Sequence, residues 1–340
     1  MPATIRDVKN KTGLSLATIS KYLNGGNVLP ENKALIEEAI KELNYEVNEI
    51  ARGLVKNKTR TVGVLVYDIA SFFSSNILHF LGMELRKNGY GMMICDSCND
   101  EKLEVENLKF LLSRKVDGII VLPVSMSGKF LEPTKKANIP TVLVDRAFQD
   151  EAFDCVCIDN RVAAYRAVDT LIKNHHKKIA LIGTNATDTG TERLKGYLEA
   201  MDHAGLIPNP EYVKIGKFSV EHGYKKMKEL LAMEDRPTAV FMSNYETALG
   251  GVMAVNESEL TCPDDISLFG FDDLLVSSIV RPSLWTVEQP IEVLCNNAVR
   301  LLMERIEKEN TEEPVKLSFG AKIRKGESVR NLERNGSQCM

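Results

Sequence analysis

From residue 61 onward, short runs of β-branched and aliphatic residues alternate with segments of helical spacing, and this alternation constrains the fold more than any other feature of the chain. The runs fall at 61–67, 91–95, 118–122, 141–144, 179–182, 213–215, 239–242 and 266–269. A strand that is apolar on both faces must be covered on both sides, so the pattern predicts parallel α/β sheets flanked by helices. That many strands suit two sheets of moderate size better than one. Ligands of such folds meet the carboxyl ends of the strands, so the residues directly after each run are binding candidates.

Residues 1–60 have a different texture. Thr4-Ile5-Arg6-Asp7 reads as a capping box that opens a helix, and Gly13 ends it. Ser15 is a second N-cap, before a helix over 16–24 that Gly25-Gly26 stops. Pro30 opens a third helix, in which Leu35, Ile36, Ala39, Ile40 and Leu43 recur at helical spacing. Helix, tight turn and helix make a helix-turn-helix, whose second helix fits the major groove. Leu16, Ala17 and Lys21 are placed to reach base edges. Three short helices with a glycine turn also occur in modules that never touch DNA, so the pattern alone leaves both readings open.

Charge favours a polyanion at this end. The net charge of −4 hides Arg6, Lys9, Lys11 and Lys21 against Asp7 alone in residues 1–28. Arg52, Lys56, Lys58 and Arg60 stand without an acid in 51–60. With 44% hydrophobic and 26% charged residues the chain reads as globular rather than disordered. It lacks the roughly 18–20 uninterrupted apolar residues of a membrane span and the pattern of a signal peptide, so a cytoplasmic location and no membrane partner are expected.

Enzyme and metal motifs are missing. No GxSxG, Walker loop or HExxH occurs, so no enzymatic activity and no cofactor are expected. The seven cysteines read as reduced thiols. Cys95-Asp96-Ser97-Cys98 has half of a zinc or redox spacing without a second pair. Cys155 and Cys157 are expected to send their thiols to opposite faces of a strand, and His175-His176 has no partner at ligand spacing. No metal site is expected.

The motifs then add up. Thr4-Ile5-Arg6-Asp7-Val8, Gly13-Leu14-Ser15, Ala17-Thr18-Ile19-Ser20-Lys21-Tyr22-Leu23-Asn24, Glu42-Leu43-Asn44-Tyr45 and Asn48-Glu49-Ile50-Ala51-Arg52-Gly53-Leu54 closely resemble the lactose/galactose repressor (LacI/GalR) family. Similar motifs continue through Asp145-Arg146, Asp159-Asn160, Arg193 to Tyr197 and Gly270-Phe271-Asp272-Asp273, so the resemblance covers nearly the whole chain. It implies an all-α helix-turn-helix domain, a hinge that becomes helical on operator DNA, and a two-lobed α/β sensor like the sugar-binding proteins of the periplasm. The implied boundaries are 1–45 for the DNA-binding domain and 46–60 for the hinge. The first lobe takes 61–158 with 289–317, and the second 159–288 with 318–332.

The implied DNA contacts are Thr4, Ser15, Leu16, Ala17, Thr18, Ser20, Lys21 and Asn24, followed in the hinge by Asn48, Ala51, Arg52, Leu54 and Lys56. Leu54 stands where the family wedges a leucine into the minor groove; an apolar side chain inserted at a flexible step kinks the duplex while neighbouring basic residues hold the backbone. Read instead as a linker residue, it would pack on the body. Departures are Lys9 and Asn10 on the first helix, Lys21 where arginine is commoner, and Leu29 where a capping serine or threonine is expected.

In the sensor, Phe72 and Phe73 follow the first strand, and family positions matching Asp145, Arg193, Phe218, Asn244 and Asp272 contact effectors. Carboxylates and amides pair with adjacent hydroxyls, arginine offers a rigid fork, and aromatic faces stack on sugar CH groups or base rings. Each also has a structural reading, as a helix cap or a core aromatic. The family's Asn-Asp pair is here Asn244-Tyr245-Glu246, with the acid displaced by one residue. The expected protein is a homodimeric regulator, read as a repressor, that binds a pseudo-palindromic double-stranded operator. A sugar or sugar phosphate controls it, with a nucleobase or nucleoside as rival effector. The competing class is a stand-alone binding protein or enzyme without operator binding.

Overall fold

The computed structural model describes residues 3–23, 25–45, 58–148, 150, 152–273, 275–308 and 313–335. The chain divides into two units, Met1–Arg60 and Thr61–Met340.

The first unit holds α1 (Ile5–Thr12), α2 (Leu16–Leu23) and α3 (Pro30–Leu43). The Asp7 carboxylate accepts from the Thr4 backbone N–H at 2.8 Å and from its hydroxyl at 2.7 Å, fixing the start of α1. Gly13 ends α1 at φ 71°, in the left-handed region that costs glycine least. Ser15 Oγ accepts the Thr18 N–H at 3.1 Å, so α2 begins where the sequence puts it. Val8, Ile19, Ile36 and Ala39 form the buried core. The Tyr22 hydroxyl donates to Glu37 at 2.7 Å, joining α2 to α3, and a Lys11–Glu42 ion pair joins α1 to α3. Leu35, expected on the apolar face of α3, is exposed, because the core it would join is closed by its neighbour Ile36.

The second unit contains two six-stranded sheets. The first is built from β1 (Thr61–Val66), β2 (Gly91–Asp96), β3 (Gly118–Val121), β4 (Thr141–Val144), β5 (Asp154–Ile158) and β11 (Lys316–Phe319), in the order β11-β5-β4-β3-β1-β2. The second takes β6 (Ile179–Gly183), β7 (Val213–Ile215), β8 (Ala239–Met242), β9 (Ser267–Phe271), β10 (Trp285–Glu288) and β12 (Lys322–Arg324), in the order β12-β10-β9-β8-β6-β7. All pairings are parallel except β10 with β12. The helices are α4 (Phe72–Lys87), α5 (Glu101–Ser113), α6 (Glu132–Lys136), α7 (Asn160–Lys173), α8 (Asp188–His203), α9 (Val220–Leu231), α10 (Tyr245–Asn256), α11 (Leu275–Ile279) and α12 (Ile291–Lys308). Because α12 packs on α4 and β3–β5, the chain crosses between the lobes three times: after β5, after β10 and after β11. The last crossing falls between Phe319 and Lys322, slightly later than the expected break after 317.

Glycines let helices touch backbone to backbone. A Cβ at Gly196 of α8 would stand 2.2 Å from the Arg161 carbonyl of α7, and one at Gly250 of α10 2.1 Å from the Val220 carbonyl of α9.

Three strands escaped the sequence reading: β10, β11 and β12 are short and interrupted by polar residues at every second position, while the sequence reads β5 as a strand only through its cysteines. The cysteine expectation fails as well. Residues two apart on a strand share a face, and Cys155 and Cys157 both lie in the cluster with Leu65 and Leu143, whereas Val156 faces the cluster containing Val64 and Val144. Among the described residues no helix is long and apolar enough to cross a membrane.

Candidate ligand cleft and helix-turn-helix face

Two aspartates mark the strand ends. Asp145 directly follows β4 at φ 75° and Asp272 directly follows β9 at φ 71°, and both are buried. Left-handed backbone at a non-glycine residue is costly and concentrates at functional sites. Here it turns one carboxylate from each lobe toward the same space, where they interact with each other and with Arg193.

Arg193 is held on three sides. Its Nε donates to Asn160 Oδ1 at 2.8 Å, its Nη1 donates to the Ser243 carbonyl at 2.7 Å, and its guanidinium lies 3.5 Å from the centroid of the Phe271 ring. The Gln289 amide donates to Asp272 Oδ1 at 2.6 Å. On the other lobe Arg146 donates through Nη1 to the Pro123 carbonyl at 2.7 Å, stacks 4.9 Å over the Tyr67 ring and stands 3.6 Å from Asp145.

The electrostatics follow from burial. Desolvation pushes the Asp145 carboxyl up, against the pull of Arg146 and Arg193, and pushes the Arg193 guanidinium down, against the pull of Asp272 and Asp145. Burial lifts the Tyr67 phenol to about 12, helped by Asp145. Asp188 and Glu246 are also raised, chiefly by desolvation. An arrangement of buried acids interleaved with two guanidinium groups can hydrogen-bond several hydroxyls at fixed angles.

The expected residues divide. Asp145, Arg193, Asn244 and Asp272 converge at the strand ends. Asn244 is also the N-cap of α10: its Oδ1 accepts from the Thr247 N–H at 3.0 Å and hydroxyl at 2.6 Å, and its amide donates to Glu246. Phe72 is exposed and meets Tyr245 edge-on across the lobes, with 5.1 Å between centroids. Phe73 does not join them, since one step along a helix turns a side chain by about 100°, and it is buried in the core with Val66 and Ile77. Phe218 is half-buried beyond the edge strand β7. Sequence reasoning missed Arg146, Asp188, Tyr67 and Gln289 as cleft residues, while marking Glu246 as the displaced acid. Arg146 and Gln289 had a signal, each being polar and just beyond a strand, but the strand before Gln289 was itself unrecognised.

On the helix-turn-helix, Ser15, Leu16, Ala17 and Lys21 are exposed, while Thr18 and Ser20 are half-buried. Ile19 faces the core. Leu16, Ala17, Ser20 and Lys21 lie four apart in pairs and so share one side of α2. Thr4 and Ser15 serve as caps. Asn24, Asn48, Ala51, Arg52, Leu54 and Lys56 lie outside the described residues.

Among the described residues no three His, Cys, Asp or Glu side chains are grouped to hold an ion. Both ring nitrogens of His176 are engaged, by Thr238 at 2.9 Å and the Arg330 carbonyl at 3.0 Å, and burial pushes the ring down to about 4. The Cys95 thiol is raised by burial and the Cys98 thiol by the neighbouring Asp96 charge, which is the wrong direction for a reactive thiolate.

A helix-turn-helix unit and a two-lobed α/β unit with a polar cleft at its strand ends define a ligand-responsive transcriptional regulator. Residues 168–329 match the periplasmic binding protein-like domain family. The chain is 31% identical to catabolite control protein A of Priestia megaterium, over 93% of this chain and 96% of that protein. It is 33% identical to the HTH-type transcriptional repressor PurR of Pasteurella multocida, over 92% and 95%. The solved complex of the transcriptional regulator CelR with cellobiose superposes with a TM-score of 0.72 at 29% identity, covering 96% of this chain and 99% of that one. The chain belongs to the LacI/GalR family of transcriptional regulators.

Proposed function

We propose that this regulator binds a pseudo-palindromic operator as a homodimer and that a sugar or sugar phosphate held between the lobes changes its grip. The observation that carries this is the pair of buried aspartates, Asp145 and Asp272, one from each lobe, facing Arg193. A hydroxylated ligand bridging them joins the lobes and favours one relative orientation, and an operator-bound state with its own preferred orientation is then favoured or disfavoured. The relative solved with cellobiose supports a sugar.

On the DNA side, Leu16, Ala17, Ser20 and Lys21 read the major groove, with Thr4, Ser15 and Thr18 setting the helix against the backbone. The segment 46–60 is the hinge, in which Leu54 wedges the minor groove beside Arg52 and Lys56. The DNA-binding domain is 1–45, and the lobes are 61–158 with 289–319 and 159–288 with 322–332. Dimerisation uses the β2 edge of the first sheet. Ile94 there is exposed and shares a pleat with Met92, whose Cε lies 3.4 Å from where a Cβ on Gly82 of α4 would stand. A nucleobase is the second reading, favoured by the exposed Phe72 ring, although Phe73 is lost to the core.

Screening sugars, sugar phosphates and nucleobases by thermal shift tests the reading. A sugar of either kind that raises the melting temperature, and moves a gel-shifted operator, supports it. Stabilisation by nucleobases alone replaces the effector class, and stabilisation by none removes it.

A further inference from the structure

The Gly25-Gly26 pair beyond α2 is two glycines with two different reasons. Gly25 sits at φ 78°, in the left-handed region, and Gly26 does not. The Gly25 N–H donates to the Tyr22 carbonyl at 2.9 Å, and the Gly26 N–H donates to the Lys21 carbonyl at 2.8 Å. This is the Schellman pattern of a helix end, in which the first of the two residues takes a left-handed backbone and the second only donates. Gly25 is therefore a glycine for its backbone. Nothing in the backbone asks for one at 26.

What Gly26 lacks is a side chain, and Lys21 lies where one would be. An ideal Cβ on Gly26 would stand 2.7 Å from Lys21 Cγ, 3.0 Å from the Lys21 carbonyl oxygen and 3.4 Å from Lys21 Cε. In a Schellman motif the residue in the place of Gly26 commonly packs its side chain on the residue five before it. Here the contact is kept with the roles reversed, the methylenes of Lys21 lying along a bare Cα. Lys21 is otherwise exposed, on the side of α2 that it shares with Ala17. Its ammonium group thus leaves from a stem seated against the turn.

We propose that Gly26 is a specificity-determining positioning residue for DNA reading: by leaving out a side chain it seats the Lys21 stem and fixes where the ammonium meets base edges. This rests on the reading of Lys21 as a major-groove contact and deepens it. A seated stem gives up less rotamer freedom on binding and presents its donors in one place, whereas a free one reaches several neighbouring acceptors. A methyl group at 26 meets the flexible stem first, so the lysine moves and the turn stays.

Selection from a pool of double-stranded DNA with randomised positions, followed by anisotropy titration of the selected site, tests this with the full-length wild type, Lys21→Ala, Gly26→Ala and the double variant. Gly26→Ala is expected to weaken the wild-type site at least about fivefold and to change the preferred bases at the positions that Lys21→Ala also changes. In the Lys21→Ala background the same glycine substitution is expected to change affinity by less than about twofold, because the displaced stem is gone. A loss of the same size in both backgrounds, or an unchanged base preference in Gly26→Ala, overturns the proposal while leaving Lys21 as a reader. If Gly26→Ala alone unfolds the DNA-binding unit, the double variant is expected to fold again. A double variant that also fails to fold overturns the proposal, since the methyl group then meets backbone rather than lysine. Wild-type affinity and preference in Lys21→Ala overturn the reading of Lys21, and this inference with it.

Discussion

Ser71 of the first lobe donates its hydroxyl to Glu246 Oε1 of the second at 3.3 Å, so the acid that is displaced relative to the family pattern is a tie across the cleft. The neighbouring pair repeats the relationship with aromatic groups, Phe72 against Tyr245. Both contacts join the start of α4 to the start of α10, and both depend on the lobes being in this orientation.

Burial pushes the Glu246 carboxyl up, with Asp272 adding to the rise and Ser71 and Arg193 opposing it. An acid raised on folding carries a penalty that is absent below its unfolded value, builds as pH climbs between its unfolded and folded values and is complete above the folded one. Glu246→Gln is therefore expected to melt higher than the wild type at pH 7, with the gap closing as pH falls below the usual carboxylate range. Calorimetric scans across pH check this, and a gap that widens in acid contradicts it.

Operator recognition should divide between two lysines. Lys21→Ala removes a side chain on the exposed face of α2 and is expected to weaken binding while altering sequence preference, at about 1–3 kcal/mol. Lys56→Ala, in the hinge, is expected to weaken all DNA binding and to lower the salt slope by about 1. Anisotropy titrations over a salt series distinguish them, and equal, sequence-independent losses refute the division.

At Gly250 the backbones of α9 and α10 leave no room for a methyl group, with Val220 O 2.1 Å and Tyr224 N 2.5 Å from the ideal Cβ. Gly250→Ala is expected to cost about 1–3 kcal/mol by forcing the pair apart. Urea unfolding measures it, and an unchanged midpoint would mean that the helices separate freely.

Ile94→Glu places a charge on the exposed edge strand proposed to pair two copies. Light scattering is expected to show a shift towards monomer with little change in the melting of the DNA-binding unit. A dimer as stable as the wild type moves the interface elsewhere.

Much of this was legible in the sequence because local chemistry and global fold agree. The caps at Thr4 and Ser15, the glycine at 13 and the doubly apolar strands each have one cheap solution, and the structure adopts it. What stayed hidden was set by partners distant in the chain. Nothing local separates Phe72 from Phe73, yet helix geometry sends one to the cleft and the other to the core. Arg146 gains its place from Pro123 and Tyr67, and Glu246 from Ser71, 175 residues away. Gln289 follows a strand too short and polar to announce itself.

Titration of a labelled fragment from the chain's own upstream DNA, with and without the stabilising sugar, tests the central claim most directly when wild type and Arg193→Lys are run together. A lysine cannot reproduce the fork that reaches Asn160 and the Ser243 carbonyl. The expected result is sequence-specific binding by both proteins, with the sugar changing the wild-type affinity at least about tenfold and leaving the variant unmoved. Failure of the wild type to prefer this DNA over random sequence, or an equal sugar response in the variant, would contradict a regulator controlled through this cleft.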